Sequence, residues 1–102
     1  MAIIEVSVVP LGTETPSVSR YVAEAEKVLQ GAEDIKYELT AMGTIIEGDL
    51  ARLLSLAEQM HQSAFAAGAK RVVTTIKIDD RRDQVASIRS KIAAVRRQLA
   101  KG

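Results

Sequence analysis

The sequence predicts an α+β fold in which strands and helices follow one another in the order β-α-β-β-α-β-α. Segments whose apolar residues alternate every second position, as in strands, lie between segments with the three-to-four-residue spacing of amphipathic helices. Glycine or proline stands at several of the junctions between them. With 102 residues and no cysteine, we expect one domain over residues 1–102, stabilised by an aliphatic core without disulfides.

The chain opens with a predicted strand and helix. Residues 3–9 alternate apolar and polar side chains, which is typical of a half-buried strand, and Pro10 and Gly12 are expected to end it. Thr15 followed by Pro16 is a typical helix start, with a capping side chain and a proline in the first turn. The amphipathic stripe of this helix continues to near Gly31.

A hairpin and a second helix are predicted next. Residues 35–42 alternate as a second strand, and the corner before Gly43 leads directly into a third strand over residues 44–47. Asp49 is the expected N-cap of the second helix, because its side chain can accept a hydrogen bond from a free backbone N–H. The apolar stripe of that helix ends near Gly68.

The last strand is predicted over Val72–Ile78 and the last helix from Asp83 to Ala100, with Asp80 or a neighbour as its cap. The complete order is that of a ferredoxin-like βαββαβ sandwich with an additional C-terminal helix. In this topology strands one and two run parallel, and strands three and four run antiparallel to them.

The predicted third helix carries a narrow apolar stripe. Its members are spaced alternately three and four residues apart, as in a coiled-coil-like contact: Val85, Ile88, Ile92, Val95 and Leu99. Such a stripe either covers the sheet of its own chain or packs on the same helix of another subunit. We favour the subunit contact, because Lys, Arg and Gln flank the stripe on both sides.

The sequence argues against nucleic acid and membranes as partners. From Lys77 to Gly102 there are eight basic and three acidic residues, which we interpret as the solvated flanks of the stripe. The interleaved aromatic residues of an RNA-binding sheet are missing, so no nucleic acid is expected. No apolar run reaches membrane-spanning length, and the first residues alternate like a strand rather than a signal peptide. We expect a cytoplasmic protein with no membrane partner.

Catalytic and metal-binding patterns find little support in the sequence. The single histidine, His61, lies on the apolar stripe of the second helix and is expected to pack there. No phosphate loop, nucleophile elbow or HExxH motif is present, which predicts a protein that is not an enzyme. The run DDRRD at residues 79–83 places arginines among its carboxylates, which favours capping and ion pairing over a metal site.

One face of the predicted sheet is neither apolar nor strongly charged. If alternation holds, it presents Glu5, Ser7, Glu38, Thr40, Met42, Glu47, Thr75 and Lys77. Carboxylates, hydroxyls and a methionine over a flat sheet suit a small, partly cationic ligand or a wet subunit interface. An ordinary solvated face is the alternative. At one end of the sheet, Ser17 and Ser19 near the start of the first helix are placed to receive an anion or a hydroxyl.

Three segments carry a resemblance to a known family: VSVVPLGTETPSVSRYVAEA, YELTAMGTIIEG and RVVTTIKIDDRRD. Together they resemble the small, single-domain members of the YkoF-like thiamine-binding family. The resemblance implies a ferredoxin-like fold, self-association to dimers and tetramers, and binding of thiamine or its hydroxymethylpyrimidine moiety without chemistry or cofactor. It also marks a signature run comprising Thr40, Met42, Gly43, Thr44, Glu47 and Gly48.

The chemistry of thiamine selects site residues near this run. A carboxylate from Glu38 or Glu47 can balance the cationic thiazolium or accept a hydrogen bond from the exocyclic amine. The remaining members of the predicted site supply hydroxyls or a polarizable surface: Ser17, Ser19, Thr40, Met42 and Thr44. The predicted function is supply, storage or sensing of the ligand by a homo-oligomer. The alternative is a structural or regulatory module whose polar sheet face binds a partner protein.

Overall fold

The structure, a computed structural model, describes residues 1–13, 18–83 and 87–101. Its elements are β1 (Ala2–Leu11), α1 (Ser19–Gln30), β2 (Lys36–Thr40), β3 (Gly43–Gly48), α2 (Leu50–Ala66), β4 (Arg71–Asp79) and α3 (Ile88–Lys101). The α+β class and the order of the elements are therefore as predicted. Within the described ranges, no helix is both long enough and apolar enough to cross a membrane.

The four strands form one antiparallel sheet in the order β2-β3-β1-β4. Because β3 is antiparallel to both of its neighbours, β1 and β2 point in the same direction, as predicted. Ile4 pairs with Ile46 on β3 and with Ile78 on β4, so these three side chains lie on the same face. The alternation in the sequence thus assigns the faces of the sheet correctly.

Helices α1 and α2 pack on that face and form an aliphatic core with it. The largest fully buried side chains are Ile4, Val6, Leu29, Ile46, Leu53, Leu56 and Met60. The N-cap of α2 is Asp49, as predicted, and its carboxylate accepts a hydrogen bond from the backbone N–H of Arg52 at 3.4 Å. The opposite face of the sheet is covered by neither α1 nor α2.

Helix α3 lies outside this core. Among its described residues none is buried, and Val95 and Leu99 are 59% and 75% exposed. The radius of gyration is 15.2 Å, compared with about 13 Å for a compact domain of about 100 residues. The C-terminal part of the α3 stripe is thus uncovered within the described chain, whereas Ile88 and Ile92 lie beside Ile3 and Ile45 of the sheet. Val85, the first member of the predicted stripe, lies outside the described residues.

The first strand is longer than predicted. Pro10 and Gly12 were expected to end it after Val9, but β1 continues through Pro10 to Leu11, which pairs with Arg71 of β4, and ends directly before Gly12. Pairing with β3 stops at Val6, so Pro10 lies where β1 has a partner on one side only. A proline is tolerated there because its missing N–H need not remove a hydrogen bond from the ladder.

Two of the three predicted helix starts need correction. Helix α1 begins at Ser19 with Val18 at the N-cap position, later than the Thr15-Pro16 signal predicts. Thr15 and Pro16 themselves lie outside the described residues. Helix α3 begins at Ile88 rather than at Asp83.

The cap of α3 is a pair of serines, so the prediction of Asp80 as its cap is wrong. Ser87 Oγ accepts a hydrogen bond from the N–H of Ser90 at 2.9 Å, and Ser90 Oγ accepts from the N–H of Ser87 at 3.0 Å. This reciprocal arrangement is a capping box. Asp80 instead forms an ion pair with Arg82 at 3.1 Å, so its carboxylate is engaged before the helix starts.

Candidate ligand-binding site

A cavity of about 300 Å³ lies at the end of the sheet where β1 finishes and the β2–β3 hairpin turns. We call it the upper cavity. Its apolar walls include Val6, Val8, Val22 and Met60. Its polar side chains include Glu26, Thr40 and Thr44, and Met42 stands at its mouth, 82% exposed. The upper cavity therefore combines an apolar body with a few polar groups, which is typical of small-molecule sites.

The unequal pairing of β1 explains why the cavity forms there. β1 pairs with β4 as far as Leu11 but with β3 only as far as Val6, so its upper part is open on the hairpin side. Gly43 brings the hairpin close at the point where this opening begins. A Cβ at Gly43 would lie 3.0 Å from the carbonyl oxygen of Val6, tighter than an ordinary van der Waals contact. Along this opening, β1 has no strand partner on its hairpin side, so that edge of its backbone is open to the cavity.

The polar end of the upper cavity is a carboxylate–hydroxyl pair. Thr44, 4% exposed, donates a hydrogen bond from Oγ1 to Oε1 of Glu26 on α1 at 2.5 Å. Among the described residues, no cation pairs with Glu26. A carboxylate within mostly apolar walls and without a positive partner is suited to accept a donor or a cation from a ligand.

Glu26 is the residue that the sequence reasoning missed. A signal for it was present, because Glu26 lies four residues after Val22 and three before Leu29. This spacing places it on the same face of α1 as those two apolar side chains.

The hairpin turn positions two of the predicted site residues. Thr40 Oγ1 donates a hydrogen bond to the carbonyl oxygen of Gly43 at 2.7 Å and accepts one from the N–H of Met42 at 3.3 Å. Met42 was expected on the open face of strand two, but β2 ends at Thr40 and Met42 lies in the turn. The first part of the signature run, residues 40–44, thus forms the turn and part of the wall of the upper cavity.

The two predicted carboxylates lie elsewhere, in a second and wider space of about 660 Å³ between β2 and α3. We call it the lower cleft. Both Glu38 and Glu47 line it, together with the basic residues Lys36, Arg89, Arg96 and Arg97. Glu47 is 5% exposed, and its Oε2 accepts a hydrogen bond from the N–H of Ile88 at 2.7 Å. This carboxylate therefore anchors the start of α3 to the sheet.

The predicted site is thus divided between two places. Thr40, Met42 and Thr44 meet at the upper cavity, whereas Glu38 and Glu47 line the lower cleft. Ser19, the first residue of α1, is exposed and lines neither space. Ser17 lies outside the described residues.

The anchoring role of Glu47 leads to a first prediction. In Glu47→Gln the hydrogen-bond acceptor is retained but its charge is lost, which weakens the contact by about 1 kcal/mol. We expect hydrogen exchange of the amides at the start of α3 to accelerate about fivefold, measured by mass spectrometry. Glu38→Gln, in the same cleft, is the matched control and should leave this exchange unchanged. Equal protection in both variants would refute the anchor.

In the described part of the chain, the histidine has a packing role and the acidic residues do not gather into a metal site. His61 Nδ1 is hydrogen-bonded to Thr74 Oγ1 at 2.6 Å, and its ring packs edge-on against Phe65 at 5.3 Å. This is the packing role predicted for it. Over residues 1–13, 18–83 and 87–101, no group of three or more His, Asp or Glu side chains lies close enough to hold a metal ion.

The chain was compared with known proteins by sequence and by structure. A family described as "Thiamine-binding protein" matches residues 4–96. The chain belongs to this family. The matched segment contains every residue named above for the upper cavity.

Relatives in the family are similar over nearly their whole length. The UPF0045 protein YqgV of Bacillus subtilis is 48% identical over 102 residues, covering 97% of this chain and 98% of the relative. A UPF0045 protein of Staphylococcus xylosus is 44% identical over 105 residues, covering 100% of this chain and 98% of the relative.

Solved structures share the architecture. A hypothetical protein from Methanocaldococcus jannaschii superimposes with a TM-score of 0.84 at 38% identity, covering 92% of this chain and 94% of the other. A domain of unknown function from Bacillus cereus gives a TM-score of 0.79 at 35% identity, covering 89% of this chain and 86% of the other. The family fold is thus shared from bacteria to archaea.

Proposed function

We propose that the protein binds thiamine, or its hydroxymethylpyrimidine moiety, in the upper cavity. The observation that supports this most directly is the Glu26–Thr44 pair, a half-buried carboxylate and a buried hydroxyl at the polar end of an apolar cavity. The chain belongs to a family described as thiamine-binding. Thiamine has hydrogen-bond donors and a positive charge, which match the carboxylate and the hydroxyl of this pair. The volume of about 300 Å³ is at the lower end of the range for small-molecule pockets.

The chemistry of the ligand fits the polar groups. The exocyclic amine of the pyrimidine can donate hydrogen bonds to Glu26 and to the hydroxyl oxygen of Thr44, whose own proton is donated to Glu26. Val22 and Met60 provide an apolar surface for the flat ring. Met42, at the mouth, supplies a polarizable sulfur against which the thiazolium can pack.

We propose that binding proceeds without chemistry. In the described lining of the upper cavity, Glu26 is the only ionisable side chain, so a general acid and a general base do not meet there. His61, the single histidine, is hydrogen-bonded to Thr74 and is absent from this lining. A binding protein that supplies, stores or senses its ligand in the cytoplasm fits these features better than an enzyme.

We also propose a ferredoxin-like fold and a homo-oligomer, up to a tetramer, assembled partly through α3. The strand order β2-β3-β1-β4, with α1 and α2 on one face, supports the fold assignment. The exposed end of the α3 stripe supports the assembly, because isolated helices of this length gain most of their stability from packing an apolar face.

Isothermal titration calorimetry tests the ligand assignment. We expect thiamine and hydroxymethylpyrimidine each to release or absorb heat on binding, with one site per chain. Chemical shifts of backbone amides at the upper cavity should change on titration, whereas those of the lower cleft should not. A folded protein that gives no binding heat with either compound would refute the proposed function.

Thr44→Val provides a second prediction. Valine has nearly the same shape as threonine but lacks the hydroxyl that holds the Glu26 carboxylate. Loss of one hydrogen bond should reduce thiamine affinity about three- to tenfold, measured by the same calorimetry. Thr74→Val is the matched control, since Thr74 lies on the same face of the sheet and bonds to His61 outside the cavity. An equal loss in both variants would contradict a local role for Thr44.

A further inference from the structure

We infer that the upper cavity selects the unphosphorylated forms of its ligand and that Glu26 is the residue responsible for this selection. The inference depends on the proposed function, because it assumes that thiamine or hydroxymethylpyrimidine occupies the upper cavity. It adds the class of ligand: neutral or cationic, without a phosphate ester.

The charge of the cavity wall is the first observation. Among the described residues that line the upper cavity, Glu26 is the only charged one, and none is lysine or arginine. The sequence from Thr13 to Val18 contains no basic residue either. A phosphate group carries one to two negative charges and is normally held by Arg, Lys or several backbone N–H groups.

The nearest basic residues on α1 are engaged elsewhere. The guanidinium of Arg20 donates a hydrogen bond to the carbonyl oxygen of Ala67 and lies 5.1 Å from the centre of the Tyr21 ring. Lys27 forms an ion pair with Glu24 at 2.9 Å. Neither Arg20 nor Lys27 lines the upper cavity, so neither is placed to neutralise a phosphate bound there.

The surroundings of Glu26 strengthen its effect on charged ligands. One oxygen of the carboxylate accepts the hydrogen bond from Thr44, and the surrounding walls are mostly apolar. Such walls screen charge less well than water does, so Glu26 attracts the thiazolium cation and repels a phosphate. At a separation of about 8 Å, the repulsion of one negative charge corresponds to roughly 30-fold in affinity near a protein surface.

Basic side chains gather at the opposite end of the sheet, in the lower cleft. Lys36, Arg89, Arg96 and Arg97 line that cleft, but they are not part of the upper cavity. A phosphorylated compound attracted there would not compete with thiamine bound at Glu26. The sequence analysis expects Ser17 and Ser19 to receive an anion or a hydroxyl. A ligand phosphate bound there would be incompatible with this inference, and the same experiment decides between them.

The test is a competition titration by calorimetry. The wild-type protein is first saturated with thiamine or hydroxymethylpyrimidine, and then thiamine monophosphate or thiamine diphosphate is added. We expect the dissociation constant of each phosphate ester, obtained from its displacement of the bound compound, to be at least about 30-fold higher than that of thiamine. Displacement reports on the upper cavity alone, so phosphate bound in the lower cleft does not contribute.

The variant Glu26→Gln separates charge from shape. Glutamine keeps the size of the side chain and can still accept the hydrogen bond from Thr44. We expect thiamine affinity to fall about tenfold and the preference over the phosphate esters to drop below about threefold. Glu24→Gln is the matched control, because Glu24 lies on the same helix but is paired with Lys27 outside the upper cavity. It should keep both the affinity and the preference.

Three outcomes would overturn the inference. If the phosphate esters displace thiamine as well as thiamine itself does, the selection is absent although the proposed function stands. If Glu26→Gln retains the wild-type preference, Glu26 is not the residue responsible for it. If neither thiamine nor hydroxymethylpyrimidine binds at all, the proposed function fails and the inference fails with it.

Discussion

Thiamine affinity of the Val22→Phe variant is expected to fall at least about 100-fold, because the new ring occupies the space that the ligand needs. Val22 is half-buried on α1 and lines the upper cavity opposite the hairpin. A cavity of about 300 Å³ can accept a phenyl ring but not a phenyl ring and a pyrimidine together. The empty space also makes the substitution tolerable for folding, since overpacking destabilises mainly where no space exists.

Calorimetry measures the affinity of this variant, and circular dichroism checks that it is folded. Ala23→Phe is the matched control, because Ala23 is the next residue on α1, is exposed and lies outside the upper cavity. If Val22→Phe does not fold, Val18→Phe blocks the same cavity from the start of α1. If a folded Val22→Phe protein keeps the wild-type affinity for thiamine, the ligand does not bind in the upper cavity.

The double variant Val95→Asp with Leu99→Asp is expected to separate the subunits, which is the second large effect. These are the two most exposed members of the described α3 stripe. In an assembly that covers them, each aspartate would be buried without a positive partner, at a cost of several kcal/mol. Size-exclusion chromatography with light scattering should therefore show an oligomer for the wild type and a smaller species for the variant.

A control on the same helix isolates the stripe. Ala94→Asp adds a charge to the exposed face of α3 away from the stripe, and the oligomer should persist. An unchanged mass for the double variant would exclude the end of α3 from the subunit contact. A monomeric wild type would refute the proposed homo-oligomer itself.

Much of the fold could be predicted because its signals are local. Alternation along residues 3–9 identified the side chains of Ile4 and Val6 that face the core, and the structure buries both. Asp49 was recognised as a cap from its residue type and its place before an apolar stripe. These features depend on neighbours within a few positions, so the sequence alone is sufficient to identify them.

The candidate site was predicted only in part. Thr40, Met42 and Thr44 meet at the upper cavity, but Glu38 and Glu47 lie at the lower cleft on the other half of the sheet. Alternation predicts the face of the sheet on which a residue lies. It does not predict the distance between that residue and residues on another strand. The division of the site therefore became visible only with the strand register.

Tertiary contacts also decided the roles of three polar side chains. Glu26 became a candidate because α1 packs beside β3, where Thr44 meets it at 2.5 Å across 18 positions of sequence. Glu47 became an anchor because α3 begins next to the end of β3. Asp80 lost its predicted capping role because Ser87, nearer to the helix, makes the capping hydrogen bonds.

The sequence by itself determined the order of the elements, the buried side of the strands and the membership of the thiamine-binding family. The order of the elements and the buried side of the strands follow from residue type and short-range spacing, which do not change when the chain folds. The family follows from the similarity of residues 4–96 to its other members. Only the tertiary structure located the upper cavity, because the cavity exists where β1 continues beyond its pairing with β3. The relative length of two paired strands depends on contacts between distant segments, and no local pattern encodes it.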